Sequence, residues 1–570
     1  MKILNEKGFK GSRAASIALC ILILLTMTSV LFLSIGAGCI ISLQPDIGCA
    51  GDKIKIIGTG FGTSVEKVTF NGVEATDFIL KENGSIEVTV PKGATTGSVY
   101  VTSGGQLSNP KTFTISTSGR KRWGANGVAV SAVENEQMYP QIAPCAFGGA
   151  FVAWKDKRGT DYDIYVQWVL EDGTNYYKPN GIYICTVTEM QCLPRLISDG
   201  AGGAIIIWMD YRSNAREIWA QRIDYNGTPR WGVDQKGLKI GSTNVGSGWQ
   251  PAYIISDGIA GGNGAIIAWV DGRSGNDDIY AQKVTQIGGR PWGTEGRLVC
   301  GNPGNQNEIE LTTDGANGAI VTWTDWSTNS GDICAAKVNS TDGSVAWSKT
   351  ICGATRKQSK PKITSDKNNG AIIAWWDQRN SSLAYHGDVY AYRVNSSGNA
   401  VWSPAETLVC GGQTACQDPE HTSDLDIDTG GTVSTISTVI TWTDWRGAGG
   451  FVEDLYAQKV SPTGSILWGS NGKLVCNAVS DQINPVIVSD DSGGAVISWE
   501  DRRSGLYAIY SQRVDLNGNG KWGSNGLRLC DTNKVQQSPQ IASNGWGGAY
   551  ITWMMDTELT WDVYAQKATD

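Results

Sequence analysis

Histidine is nearly absent from this 570-residue chain, which has only His386 and His421. That scarcity, with no Ser-centred elbow, no zinc-type His or Cys spacing and no phosphate loop, leaves hydrolytic, metal-dependent and phosphoryl-transfer chemistry without its usual groups. Positive charge is also short. Lys and Arg total 47 against 55 Asp and Glu, a net charge of −8, and the folded part has no basic cluster. Nucleic acid is excluded as a partner, because phosphate binding needs a positive footprint. Catalysis is not expected either.

Glycine and tryptophan are abundant, at 72 and 23 residues, so many tight turns and many buried aromatic rings are implied. The length exceeds what one ordinary core uses, so more than one unit is expected. Lys2, Lys7, Lys10 and Arg13 precede an apolar run from Ala14 to about Leu33, then Gly36-Ala37-Gly38 and Cys39. Residues 1–39 read as a signal peptide or a membrane anchor, since the run is long enough to span a bilayer. The remainder is then extracytoplasmic, secreted or held at the cell surface. The Cys39 context resembles a bacterial lipoprotein signal, making Cys39 a candidate lipidation site, although Gly36 stands where that family prefers Leu.

Residues 41–115 show short runs of period-two alternation, such as Lys53-Ile-Lys-Ile-Ile57 and Ser98-Val-Tyr-Val-Thr102, separated by Gly turns. This predicts a small β-sandwich. Pro45, Ala50-Gly-Asp52, Ile57-Gly-Thr-Gly-Phe-Gly62, Phe70-Asn-Gly-Val73, Val90-Pro91 and Thr96-Gly97 resemble the IPT/TIG family of immunoglobulin-like domains. The resemblance implies a stalk or adhesive module, because the export segment and the lack of basic loops argue against the family's DNA-binding members.

After a polar linker, 116–122, one pattern fills 123–570. Its marker is a strand ending in Trp: Trp154, Trp208, Trp269, Trp323, Trp375, Trp442, Trp499 and Trp553. Around each Trp come a Pro-led strand, a Ser-Asp-Gly turn, the Trp strand, a polar loop, a strand such as Asp278-Ile-Tyr-Ala-Gln-Lys-Val284, a Gly turn and a Leu-Val-Cys strand. Four short strands per repeat, eight times over, predict an eight-bladed β-propeller. The chain enters at a fourth strand, Gly127-Val-Ala-Val130, and leaves after a third, Asp562–Lys567, so the N-terminal strand is expected to close the last blade. The fold class is all-β, with a helix expected only in the N-terminal segment.

The eight copies can be compared with one another, taking invariant positions as structural and variable ones as facing a partner. Two residues beyond the Trp stands Asp156, Asp210, Asp271, Asp325, Asp377, Asp444 or Asp501. Two further on is Arg158, Arg212, Arg273, Arg379, Arg446 or Arg503. A structural ring is the expectation, each Asp binding its own loop amides and its own Arg. Ser327 replaces Arg in the fourth repeat and Met555 replaces Asp in the eighth. Between Asp and Arg the residue varies, and Tyr211, Trp326 and Trp445 offer aromatic planes on a loop face, with Trp376 and Trp249 as further ligand-binding candidates. Gly173/Tyr177, Gly227/Trp231 and Gly343/Trp347 before the fourth strands are similar to the Asp-box turns of sialidase-like (BNR-like) propellers, though the full spacing is missing. A sialidase-like site would draw on Tyr139, Glu189, Glu308 and Glu420.

Repeated cysteines such as Cys300, Cys352 and Cys530 lie too far apart to bridge. Cys185/Cys192 and Cys410/Cys416 are candidate disulfides within a loop. Asp515–Gly520 and Asp424–Gly430 are the two stretches with calcium-like acidic spacing, and no metal ligand set is assigned. The expected function is a cell-surface binding or adhesion protein presenting the propeller to a carbohydrate or protein ligand. The alternatives are a glycan-acting hydrolase or lyase and a purely structural envelope component.

Overall fold

A computed structural model of the chain describes residues 38–570 apart from 117–118, 186, 233–235, 244–250, 260–263, 329, 381–386, 412–424, 432–435, 447–451 and 559. The N-terminal segment, Trp249, Cys416, Glu420 and both histidines lie outside the described residues. Every regular element among those described is a strand. They fall into two units, the first ending at Ser116 and the second starting at Thr117.

In the first unit, alternation sends Ile54, Ile56, Val68, Phe70, Val99, Val101 and Phe113 inward from two facing sheets. One sheet has the order Cys39–Gln44, Lys53–Thr59, Ile86–Thr89, Phe78–Leu80; the other is built on Lys111–Ile115, Gly97–Ser103 and Lys67–Phe70. Phe70 and Phe113 meet edge to face at 5.4 Å. The sandwich starts at Cys39 rather than at residue 41: Cys39 itself is exposed, but Ile40 and Leu43 behind it belong to the core.

The second unit contains eight sheets in sequence order. Sheet 1 is Gln137–Pro144, Ala150–Asp156, Asp163–Val169 and Ile182–Cys185, each strand antiparallel to the next. The same order recurs through sheets 2 to 7. Sheet 8 has Gln536–Ser543, Ala549–Asp556 and Trp561–Thr569, and its outer pairing comes from the start of the unit, with Arg120–Lys121 and Val128–Ser131 both lying against the C-terminal strand. The propeller therefore begins inside the stretch read as a linker: Arg120 and Lys121 are paired, and Trp123 is buried.

Second and third strands pair without a register shift, so in six sheets the marker Trp stacks on the third-strand Tyr beside it, whereas Trp323 has Cys334 opposite. Trp154 and Tyr165 are 6.2 Å apart, Trp442 and Tyr456 6.4 Å. The eight Trp side chains are fully buried and fill the wedges between sheets. Gly181, with φ +76°, shows why the turn before the fourth strand needs glycine: a Cβ there would sit 2.5 Å from the Trp154 ring.

A second set of aromatic residues, tryptophans except for Tyr177 in sheet 1, ties each sheet to the next. Trp231 Nε1 donates to Gln286 O (2.9 Å), Trp347 to Ser396 O (3.0 Å), Trp402 to Pro462 O (3.0 Å) and Trp468 to Leu516 O (3.1 Å). The Gly of each acceptor turn, such as Gly398 or Gly464, lies against the donor's ring. The series continues through the seam. Trp522 Nε1 donates to the Asp570 side chain (2.8 Å), and Trp123, in the N-terminal segment, donates to Glu171 O in sheet 1 (3.1 Å). The Glu171 carboxylate also receives Lys567 and the Tyr550 hydroxyl.

First strands are paired along one edge only, and each packs against the first strands of the sheets before and after it, including sheet 8 against sheet 1. They are the inner strands of the propeller. In six of them the register shifts just before the Pro position, and the residue inside the shift, Tyr139, Leu193, Glu308, Lys360, Asn484 or Ser538, has φ between +51° and +56°. Non-glycine residues there carry roughly 1 kcal/mol of backbone strain each.

Candidate functional site

The invariant Asp–Arg positions are used up internally. Asp156 Oδ1 accepts the Arg158 backbone N–H (2.9 Å) and its Oδ2 the Trp154 indole N–H (2.7 Å), while the Arg158 guanidinium pairs with the carboxylate and lies 3.9 Å from the Tyr165 ring centroid. The ion pair recurs at Asp210–Arg212, Asp271–Arg273, Asp377–Arg379, Asp444–Arg446 and Asp501–Arg503. In four sheets the same guanidinium also donates to the cysteine ending the previous sheet, as Arg212 does to Cys185 (3.0 Å) and Arg503 to Cys476 (3.1 Å). The two exceptions differ. Where Ser327 replaces Arg, Asn302 Nδ2 donates to Asp325 (2.8 Å); where Met555 replaces Asp, the Trp553 indole N–H is left without a partner.

This arrangement corrects the proposed disulfide between Cys185 and Cys192. Both are free, buried thiols: Cys185 faces Arg212, while Cys192 lies in the first strand of sheet 2. Burial raises both to about 12. Cys410 is likewise free, facing Arg446. The acidic stretches resolve in the same local way. Asp515 Oδ1 accepts the N–H groups of Asn517 and Asn519 in a hairpin turn (2.9 Å each). Asp426 and Asp428 belong to the first strand of sheet 6 and accept Ile487 N–H (3.0 Å) and Ser489 N–H (2.8 Å) from sheet 7. Among the described residues no group of three His, Cys, Asp or Glu is placed to hold a metal ion.

Of the aromatic candidates, Tyr211, Trp326 and Trp445 are half-buried on the loops between second and third strands. Trp326 Nε1 donates to Asn307 Oδ1 (2.8 Å). Trp376 is corrected: it is 2% exposed, because it sits within its strand, with Gly387 packed against its ring, instead of on the loop. Lys357 Nζ lies between the two rings, 5.5 Å from the Trp326 centroid and 5.9 Å from that of Trp376.

The variable surface is the lining of the axis. Opposite the residue before each marker Trp, the first strands place Gln141, Arg195, Tyr253, Glu310, Lys362, Asp426, Val486 and Gln540 in one layer. All eight are half-buried, each directly after a buried residue. Sheets 2 to 6 supply a wall that is charged at every position but Tyr253. The Arg195 guanidinium lies 4.3 Å from the Tyr253 ring centroid, and Lys362 Nζ is 2.6 Å from Glu310 Oε1. Solvent reaches only 28% of the Lys362 side chain. Withdrawal from bulk water lifts Asp426 to about 6 against the opposing pull of Lys362, and the Glu310, Tyr253 and Asp426 groups keep Lys362 firmly protonated. Sheets 7, 8 and 1 supply an uncharged wall of Val486, Gln540 and Gln141. Above this layer the strained residues form a rim, on which Tyr139 is 43% exposed and the Glu308 carboxylate accepts Lys360 N–H (2.7 Å).

Tyr139 and Glu308 were reached from sequence; Arg195, Tyr253, Glu310 and Lys362 were not. The signal was present, since the residue after the Pro position changes from copy to copy while the one that follows it is always Ile or Leu.

Residues 39–115 match the model of the IPT/TIG domain. No curated protein matches the chain in sequence. Solved structures similar to it include an ulvan lyase of a polysaccharide lyase family (9% identity, 64% of this chain and 89% of that one, TM-score 0.41). They also include the β-propeller domain of the trilobed protease from Pyrococcus furiosus (7%, 76% and 94%, 0.35) and an α-L-arabinanase from Penicillium chrysogenum (10%, 70% and 99%, 0.36). Residues 39–115 of this chain are thus an IPT/TIG domain, followed by a β-propeller built of eight sheets.

Proposed function

We propose that this is an extracytoplasmic binding protein of the cell surface, tethered or exported through its N-terminal segment, whose propeller, closed by its own N-terminal strand, takes a carbohydrate ligand at the mouth of its axis. The observation that carries the reading is the axial layer. Eight equivalent positions bear side chains that change chemistry from sheet to sheet, while six sheets repeat the same internally satisfied Asp–Arg pair. Amides from Gln141, Gln540 and Asn484, the charged groups of Arg195, Glu310 and Lys362, and the rings of Tyr139 and Tyr253 make up a surface suited to sugar hydroxyls and pyranose faces.

A catalytic reading has one observation in its favour. Asp426, at about 6, lies in the same layer as Glu310 with Lys362 between them, which is a setting for a general acid. Both readings meet in one experiment: affinity electrophoresis of the protein through gels containing envelope and extracellular polysaccharides, with released fragments measured in parallel. Retention without fragments supports recognition. Fragments that disappear in an Asp426→Asn variant support turnover, and neither result points to a protein ligand or to a structural envelope component.

A further inference from the structure

Seven of the eight sheets have an uncharged or acidic residue directly after the marker Trp: Met209, Val270, Thr324, Trp376, Thr443, Glu500 and Met554. Sheet 1 has Lys155. Its ammonium is half-buried and has no ion pair or hydrogen bond among the described residues. It stands 3.7 Å from the Tyr162 ring centroid and 5.5 Å from that of Tyr139. A second ammonium, Lys157, reaches within 5.0 Å of the same Tyr162 ring. The charged groups facing Lys155 are this lysine and one carboxylate, Glu136, whose Oε2 already accepts the Tyr162 hydroxyl.

Two ammonium groups drawn onto one aromatic ring repel each other, and a single engaged carboxylate does not balance them. Burial pushes the Lys155 amine down against the opposing pull of Cys192 and Glu136, and Lys157 adds to the lowering. The location is functional rather than peripheral: Tyr139 is a rim residue with a positive φ and an exposed ring at the mouth of the axis.

Building on the carbohydrate reading above, we propose that sheet 1 holds an anion subsite and that the ligand is an acidic glycan. Its carboxylate or sulfate is received by Lys155 and Lys157, and a sugar ring lies on the exposed Tyr139 face. The three N–H donors of each ammonium suit a carboxylate or sulfate equally. An acidic polypeptide would satisfy the charges but leave the aromatic face without its partner.

The test uses the full-length protein in mild detergent, with affinity electrophoresis in polygalacturonate, methyl-esterified polygalacturonate, dextran sulfate, neutral dextran and poly-glutamate. Thermal denaturation serves as the folding control for every variant. The proposal expects retention by polygalacturonate, dextran sulfate or both, weakening with salt, and none by dextran. Lys155→Met/Lys157→Met should weaken it about tenfold, Lys155→Arg should keep it, and Tyr139→Ala should weaken acidic and esterified chains alike. Polygalacturonate against dextran sulfate separates carboxylate from sulfate. Neutral or esterified chains retained as well as acidic ones, with the lysine variant unaffected, would overturn the anion subsite while leaving the axial platform standing. Retention in poly-glutamate alone would overturn it in favour of an acidic protein. Retention by none of the polymers would overturn both proposals.

Discussion

At the scale of the residue, seven of the eight sheets are organised around a buried carboxylate with no freedom to meet a ligand. Asp501 receives Trp499, the backbone and guanidinium of Arg503, and Cys476, all within the protein. Replacing Asp501 with Ala strands that guanidinium and is expected to cost about 3–5 kcal/mol, read as a fall in the thermal midpoint with glycan retention unchanged for the fraction that stays folded. The cysteines give a second check. Alkylation of native protein followed by mass spectrometry should leave Cys185 and Cys192 unmodified, and both should be labelled after denaturation without reductant; a mass two units lower for the peptide pair would mean a disulfide instead. The repeated Asp and Arg were legible as structural from their invariance. What could not be read was the third partner, the cysteine of the preceding sheet, because that contact depends on how two sheets pack and not on spacing along the chain.

At the scale of the element, several carboxylates at sheet ends are held protonated to higher pH than usual. Asp163, Asp454 and Asp562, each at or near the start of a third strand, rise to about 6, chiefly through burial. Asp156 and Asp444, directly across the strand pair from Asp163 and Asp454, add to the shift in those two sheets. Their folded values exceed the unfolded value of about 4, so the folded state keeps these protons longer. Their contribution to stability is complete below about pH 4 and is lost as pH rises through about 6. Denaturation midpoints for Asp163→Asn/Asp454→Asn should therefore change less between pH 4 and 6 than those of the unaltered protein; an identical slope would refute this. Strand order and count were readable because Trp, Gly and Pro punctuate every repeat. The positive-φ shift before the Pro position was not, since Tyr139, Leu193, Glu308, Lys360, Asn484 and Ser538 share no side-chain chemistry and only the backbone repeats.

At the scale of the whole propeller, the seam joins residues 379 or more apart, through Val128–Ser131 against the C-terminal strand and the Glu171–Lys567–Tyr550 cluster. Removing residues 120–131 would leave the C-terminal strand with an open edge, and increased self-association by sedimentation is the expected result; a variant that stays as monodisperse as the parent would show that the seam is dispensable. The pairing of the unit's first strands with its last was legible from where the repeat starts and stops. The division of the axis into a charged and an uncharged wall was not, because it appears only when eight first strands stand side by side. The central claim is that this lining, and not the Asp–Arg positions, meets the ligand. The most direct measurement is the glycan affinity of a Glu310→Gln/Lys362→Met protein, in which both members of one axial ion pair are neutralised together. The account predicts at least about a tenfold loss with the thermal midpoint nearly unchanged, and full retention by this variant would contradict it.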